Sequence, residues 1–474
     1  MQTTFIPSTF NLTTLAALFA HDDICWQVCF LQNNGHPVVG ILPKTAWKIY
    51  PNAKHACQQT SQAVPLYIKK ATRQSDKITE YSTNTSFGNQ ATLEAQLISY
   101  YEAYANPTDI SDSPKYHHGL MGFMGYDLSA NTLNPNICLK HDQLAGFFGH
   151  YDVMITQADD GFLVNFWGDN QVFFDTISQK ITQLLTKILP PKTAIGLSPK
   201  WQRNDYHTAF YKTQDYLLSG DAYQINLTQC WQGLADNLHL HLPHLHQAMN
   251  APFSGFMCID GFELLSVSPE LFFTFYRQNN ACHITTKPIK GTRPRHNNQA
   301  TDERLKAELA SSEKDISENL MIVDLLRNDL GKYAKVGQVK TPIKFAIESF
   351  TNVHHMVSTI TAVLKPDSHP ISVLLGSLPA GSITGAPKKR ACEIIHELES
   401  TQRGAYCGTL GYLNFDGTGQ WNVLIRTLQS FQGVVELWAG GGITICSDVN
   451  AEYQECFDKV GKIIDLLKHE SFNT

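Results

Sequence analysis

A mixed α/β fold around a large core is what the sequence predicts, and three observations carry it. Apolar residues make up 43% of the chain and charged residues 17%, with frequent aromatics, which is a globular composition far from the disordered class. The 474 residues exceed the usual single-domain size, a length that large open or sandwiched β architectures absorb around one extended core, so one or two domains are both open. From Trp201 onward, segments of strand and of helix character alternate with glycine-rich joints.

Charge and composition narrow the function classes. The formal net charge is -6 and no basic run is longer than Lys388-Lys389-Arg390, which argues against nucleic acid and for a small-molecule substrate. The first 43 residues hold no Lys or Arg and no apolar run nears the length of a membrane span, so a cytoplasmic protein without a membrane partner is expected. Eleven cysteines without a C-x-x-C pair fit reduced thiols better than a disulfide framework. His239, His241, His244 and His246 around Pro243 have metal-like spacing, although a solvated loop or helix start is the preferred reading.

Residues 1–195 mix short alternating segments with turn residues and read as scaffold. Residues 196–474 carry the chemistry, and the two regions are expected to form one intertwined unit. In the first, Gly119, Gly122 and Gly125 recur every third position between apolar residues, a pattern of close strand packing and not a dinucleotide fingerprint. Leu189-Pro190-Pro191-Lys192 marks a linker or a sharp change of element.

Past the apolar segment GFELLSV, Ser268-Pro269-Glu270 offers a general acid in Glu270. ITTKPIKGTRPR then places Lys290 at a strand end between Ile289 and Gly291, where desolvation would yield a neutral, nucleophilic amine; an exposed edge-strand lysine is the alternative. Between Ser311 and Gly331 the sequence predicts a helix of about five turns, with Ser312 and Asp315 at its start and Gly331 as its stop. On it Glu318 shares the apolar side with Met321, Ile322 and Leu325, so its carboxylate needs an ion-pair partner, a proton or a cation.

GSITGAPKKRACEIIHELE sets Thr384 and Gly385 just before a helix with Pro387 in its first turn, a ready anion site but not a Walker loop. A hairpin follows, GYLNF turning at Asp416-Gly417 into QWNVLIRTLQSF, where Arg426 shares a strand face with Asn422, Leu424 and Leu428 and suits bidentate recognition of a carboxylate. The strand VVELWA runs into Gly440-Gly441-Gly442, a bare backbone open to a ligand. A last amphipathic helix begins near Asp448 or Asn450, with Tyr453, Cys456, Phe457, Val460, Ile464 and Leu467 as its apolar stripe. Glu452, Glu455 and Lys459 line one edge of that stripe, either as a salt-bridge ladder or as carboxylates for a bridging Mg2+ beside the glycines.

Taken together, GDAYQINLTQ, SPELF, PIKGTRPR, SENLMIVDLLRNDLGK, VHHMVS, GSITGAPKKRACEIIHELE, GYLNFDG, IRTL, AGGGI and AEYQECFDKV resemble the chorismate-utilising enzymes, over roughly residues 200–470. The resemblance implies two large antiparallel β-sheets packed as a sandwich and flanked by helices, with the site in a deep cleft. Gln224 stands where isochorismate and salicylate formers carry a water-activating lysine, and Lys290 resembles the aminodeoxychorismate branch, whereas anthranilate synthases show alanine there. The resemblance therefore implies Lys290 as nucleophile, Glu270 as proton donor, and Mg2+ held by Glu318 and Glu455 with Glu452 in support. Thr292, His355, Thr384, Tyr412, Arg426, Gly441, Gly442 and Lys459 match positions that contact chorismate. No segment resembles a glutaminase or a fused lyase, so ammonia is expected from a separate glutamine amidotransferase subunit. Anthranilate synthesis, or a non-catalytic regulatory subunit of the same fold, is the alternative.

Overall fold

The computed structural model describes residues 1–52, 66–74, 77–107, 114–140, 143–350, 353–399 and 401–468. Their strands form two sheets of twelve strands each. One runs from Gln2–Pro7 through Val28–Leu31, Phe253–Ile259, Phe262–Ser268 and Thr427–Phe431 to Val434–Ile443 and Gln224–Leu234. The other runs from Ile289–Pro294 and Val353–Leu364 through Leu271–Gln278, Gly419–Asn422, Thr409–Asn414 and Gly119–Met124 to Tyr81–Gly88. Both sheets draw on both halves of the sequence: Val28–Leu31 pairs antiparallel with Phe253–Ile259, and Gly119–Met124 with Thr409–Asn414.

The sheets meet over a shared apolar layer that includes Cys29, Met257, Phe262 and Leu264 from the first and Met121, Phe123, Phe147 and Leu410 from the second. Phe123 and Phe262 stack across it at 5.4 Å. Burying each such aromatic contributes on the order of 2 kcal/mol, so this layer fixes how the sheets sit on one another. The glycine run at 119–125 serves close strand approach, since a Cβ at Gly122 would lie 2.2 Å from the Phe147 carbonyl oxygen.

Helices cover the outer faces. Val449–Lys468 packs on Val434–Ile443 through Cys456, Val460, Ile463 and Leu467, and the Asp448 carboxylate accepts from Asn450 and Ala451 N–H at its start. Glu313–Gly331 packs on the Ile289–Pro294 and Val353–Leu364 strands, and the Ser312 hydroxyl accepts from Asp315 N–H at 3.3 Å.

Several sequence expectations need correction. Gly331 does not stop its helix: it is the last helical residue, with Lys332 as the cap and Leu330 fully buried beside it. Pro387 is the N-cap of Lys388–Leu398 and not a first-turn residue, because Gly385 and Ala386 pair with Ile225 and Gln224. Gly440, Gly441 and Gly442 do not end their strand but continue the ladder opposite Thr228, Leu227 and Asn226. The 189–192 stretch is the change of element expected, irregular chain between Gln171–Leu184 and Ser198–Pro199, but it is tied down and not a free linker: the Lys192 ammonium donates to Leu466 O and, just beyond, Ile195 N–H to Leu467 O.

The histidines stand at a helix start, where Leu238–His241 runs into Leu242–Met249, and not in a solvated loop, since His239 and His241 are buried. His239 bonds the Glu263 carboxylate and His21, His241 bonds Thr193 O, and His246 bonds Gln32 Oε1, so the rings diverge. Among the described residues, no group of three or more His, Cys, Asp or Glu side chains is disposed to hold a metal ion, and no helix is long and apolar enough to cross a membrane.

Candidate active site

The site forms where the chain twice changes sheet. Ser268 ends a strand of the first sheet and Leu271 opens one of the second, and Pro269-Glu270 is the step between them. Residues 423–426 make the opposite step, from Gly419–Asn422 to Thr427–Phe431. The Ser268 hydroxyl donates to Val423 O at 2.6 Å, Val423 N–H donates to Glu270 O at 3.1 Å, and Val267 N–H to Arg426 O at 3.1 Å. These crossed bonds let the two steps lie side by side in the interior.

Arg426 is therefore not on the face of a continuous strand, as the alternation in QWNVLIRTLQSF suggests. It sits in the break with φ +51°, a left-handed conformation that costs an arginine about 1–3 kcal/mol and persists only where its surroundings dictate it. Burial lowers the guanidinium's pKa, against the nearby Glu270. Glu270 itself is 6% exposed. Burial pushes its carboxyl up to about 7, although the Ser382 hydroxyl, Lys290, Lys459 and Arg426 all favour its charge.

Lys290 reaches the same interior from Ile289–Pro294. Ile289 pairs with Val357 and Thr292 with His355, and the register shifts between them at Gly291, whose φ is +78°. This bulge re-aims the lysine, and only glycine fits it, because a Cβ there would meet Asp315 Cγ and Leu309 Cδ1 at 2.8 Å. The Lys290 ammonium donates to Ser382 O at 3.4 Å. Burial lowers its pKa, with Lys459 adding to the effect and Glu318, Glu270 and Glu455 opposing it. Beside it, Thr292 Oγ1 and His355 Nδ1 share a hydrogen bond of 2.8 Å, and burial, then Arg426, brings His355 down to about 4.

The rim is charged and helix-borne. Lys314 lies 3.9 Å from Glu318 and 3.6 Å from Glu452, so one ammonium spans the carboxylates of two helices distant in sequence. Burial raises the pKa of Glu318 and of Glu452, the latter also through Glu455. Glu455 stays below the usual range despite its burial, because Lys459 binds it at 2.6 Å. The Lys459 ammonium also donates to Gly440 O at 2.8 Å. A Cβ at Gly441 would lie 2.7 Å from Glu452 Oε2 and 3.4 Å from Glu455 Oε1, so the bare backbone there makes room for both carboxylates.

Thr384 is fully buried and its hydroxyl donates to Ala380 O at 3.0 Å, which makes it part of the wall behind Ser382. Gly442 faces Gln224, whose amide lies within 2.6 Å of where a Cβ would stand; that buried amide makes no hydrogen bond with the described residues. Tyr412 does not join the group. Its hydroxyl donates to Pro114 O at 2.7 Å and its ring packs edge-on against Tyr116, among Leu31, Asn33 and Phe253 in the layer between the sheets. It stands on Thr409–Asn414 and is buried in that layer. Residues that sequence reasoning missed are Ser382, which touches both Lys290 and Glu270, and Lys314, whose only signal was its position four before Glu318.

A family model described as chorismate binding enzyme matches residues 56–465. The chain belongs to that family. It is 39% identical to the aminodeoxychorismate synthase component 1 of Salmonella typhimurium, covering 77% of this chain and 80% of the relative. It is 35% identical to the anthranilate synthase component 1 of Thermus thermophilus, over 78% of this chain and 81% of that one. Among solved structures, anthranilate synthase component I from Streptococcus pneumoniae shares the fold with a TM-score of 0.69 at 22% identity, covering 94% of this chain and 93% of its own. The match begins well before Trp201, so the N-terminal region belongs to the family pattern although its motifs are sparse.

Proposed function

We propose that the chain is the chorismate-converting component of an aminodeoxychorismate synthase, which forms 4-amino-4-deoxychorismate for 4-aminobenzoate and folate synthesis in the cytoplasm. The observation that carries this reading is Lys290, a desolvated amine that stands beside a strand bulge, donates to Ser382 O and lies within electrostatic reach of the interior carboxyl Glu270. The similarity to aminodeoxychorismate synthase component 1 supports it.

Neutral Lys290 attacks C2 of chorismate, the ring double bonds shift, and the C4 hydroxyl leaves as water with the proton of Glu270. Glu270, now ionised, takes a proton back from the ammonium formed at Lys290. Ammonia then adds at C4 and the double bonds return, Lys290 leaves C2 as the neutral amine with the proton of Glu270, and Glu270 recovers a proton from the ammonium formed at C4, with the enolpyruvyl group retained. Arg426, half-buried at the crossing between the sheets and near Glu270, is the cation that orients a substrate carboxylate, with the Thr292 and His355 pair alongside.

The rim offers no preformed three-ligand cluster among the described residues, but Mg2+ is commonly held by one or two carboxylates plus substrate, and the rim supplies these: the Lys314 ammonium stands between Glu318 and Glu452 as a stand-in cation, and Gly441 leaves space for Glu452 and Glu455 on the Val449–Lys468 helix. Glu318 and Glu455 would hold the ion with Glu452 in support, and when bound it would neutralise and orient the ring carboxylate. Ammonia would come from a separate glutamine amidotransferase subunit, in keeping with relatives named component 1.

The test is to incubate the purified chain with chorismate, Mg2+ and an ammonium salt and identify the product by mass spectrometry. 4-Amino-4-deoxychorismate is expected. Release of fluorescent anthranilate instead would replace this reading with the anthranilate synthase one.

A further inference from the structure

We infer that the buried ion pair of Arg403 with Glu399 is a positioning device for the reaction, holding the 381–384 turn and the Gln224–Leu234 strand in register against Lys290 and Glu270. The inference rests on the proposed function.

Arg403 is 1% exposed and Glu399 7%. Arg403 Nε and Nη2 donate to the two Glu399 carboxylate oxygens at 2.8 and 2.6 Å. The same guanidinium reaches two other elements: Nη2 donates to Asn226 O at 2.7 Å and Nη1 to Ile383 O at 3.3 Å. Glu399 Oε1 in turn accepts from Thr228 N–H at 3.0 Å and from its hydroxyl at 2.7 Å. The fork is anchored from behind, because the Asp127 carboxylate accepts from Arg403 and Gly404 N–H at 3.0 and 2.9 Å.

What is held matters more than how tightly. Ile383 adjoins Ser382, whose carbonyl receives the Lys290 ammonium and whose hydroxyl reaches Glu270. Asn226 pairs with Gly442, and Gln224 lies two residues before it. A planar, five-donor guanidinium can fix carbonyls of two elements at once, which a point-charge lysine cannot. Stability alone does not call for the pair, since a well-packed apolar pair of similar volume is often as stable as a buried ion pair. A displacement near 1 Å at reacting groups costs about 100-fold in rate.

The double variant R403M/E399L separates the roles, with R403K beside it. For each, thermal stability, kcat and KM for chorismate with ammonium salt, and the pH dependence of Lys290 labelling by an amine-directed reagent, mapped by mass spectrometry, are measured. The expectation is a double variant that melts near the wild type, has kcat lower by about 100-fold with KM changed by less than about fivefold, and labels at Lys290 with a displaced pH midpoint. Recovery of kcat together with stability, or an unmoved midpoint, would overturn the inference. If the double variant does not fold, R403K decides: folded with wild-type kcat, it overturns the inference, and slow with a displaced midpoint, it supports it. If neither folds, the pair is a folding determinant and the inference falls. A wild type that does not aminate chorismate would sink the proposed function alone, since the labelling still reports on Lys290.

Discussion

The two sides of the site differ in what carries their side chains and in how their charges are held. On the rim, Glu318, Glu455 and Lys459 stand on helices, with side chains 16%, 46% and 38% exposed, and Glu455 and Lys459 keep each other charged against their burial. In the interior, Glu270 and Arg426 stand on the steps between sheets, and burial dominates, taking Glu270 to about 7 and neighbouring His355 to about 4. The rim is built to hold charge. The interior suits proton transfer, because a carboxyl near 7 is poised between its two forms at neutral pH.

The sharpest way to break this division is Lys290→Ala. Loss of the proposed nucleophile should lower kcat with ammonium salt by about 10⁴-fold or more, with chorismate affinity by calorimetry changed little. Amination at the original rate would end the covalent reading.

Glu270→Gln comes next, at about 10² to 10⁴-fold in kcat, and it carries a second signature. The folded pKa of about 7 lies above the ordinary 4.5, so the native state holds this proton more firmly than the unfolded chain does. Ionising it therefore costs stability: the penalty is absent below pH 4.5, grows between 4.5 and about 7, and is complete above. The variant should be more stable at pH 8 by up to about 3 kcal/mol and equal to wild type near pH 4, as read from urea unfolding. In the wild type, kcat/KM should fall as pH rises through about 7. A less stable, active variant would place the proton elsewhere.

On the rim, Lys459→Met should mainly raise KM for chorismate, by about tenfold, with a smaller change in kcat and a weaker dependence on ionic strength. A variant whose kcat fell with KM unchanged would move Lys459 from the binding side of the comparison to the chemical one.

The same division explains what the sequence revealed. Glu318, Glu452, Glu455 and Lys459 lie on helices whose 3.6-residue period fixes their faces, and the long amphipathic patterns made those helices plain. Lys290 was readable at its strand end, but its aim depends on the Gly291 bulge, a pairing detail with the distant Val353–Leu364 strand. The position of Arg426 is not legible locally because alternation continues across a change of sheet: Asn422 and Thr427 are both buried strand residues, and nothing local says they belong to different sheets. Tyr412 matches a family motif, but its neighbours Pro114 and Tyr116 are remote in sequence, with the Pro114 bond at a separation of 298. Ser382 left no trace because the group that receives Lys290 is its backbone carbonyl and its hydroxyl meets Glu270 only through the fold.

The smallest expected effect tests whether the rim is a cation site at all. Lys314 stands 3.9 Å from Glu318 and 3.6 Å from Glu452 and is more than half exposed, so each contact is a weak, screened ion pair of about 0–1 kcal/mol. A divalent ion at those carboxylates must displace or repel that ammonium. Lys314→Met should therefore tighten Mg2+ binding, measured calorimetrically without substrate, by about three- to tenfold, and should reduce the salt dependence of that binding. Weaker Mg2+ binding in the variant would mean that Lys314 organises the carboxylates and does not compete for them. Equal heats with Mg2+ for Lys314→Met, wild type and a Glu318→Gln control would remove the metal from this rim and leave its charges to the substrate alone.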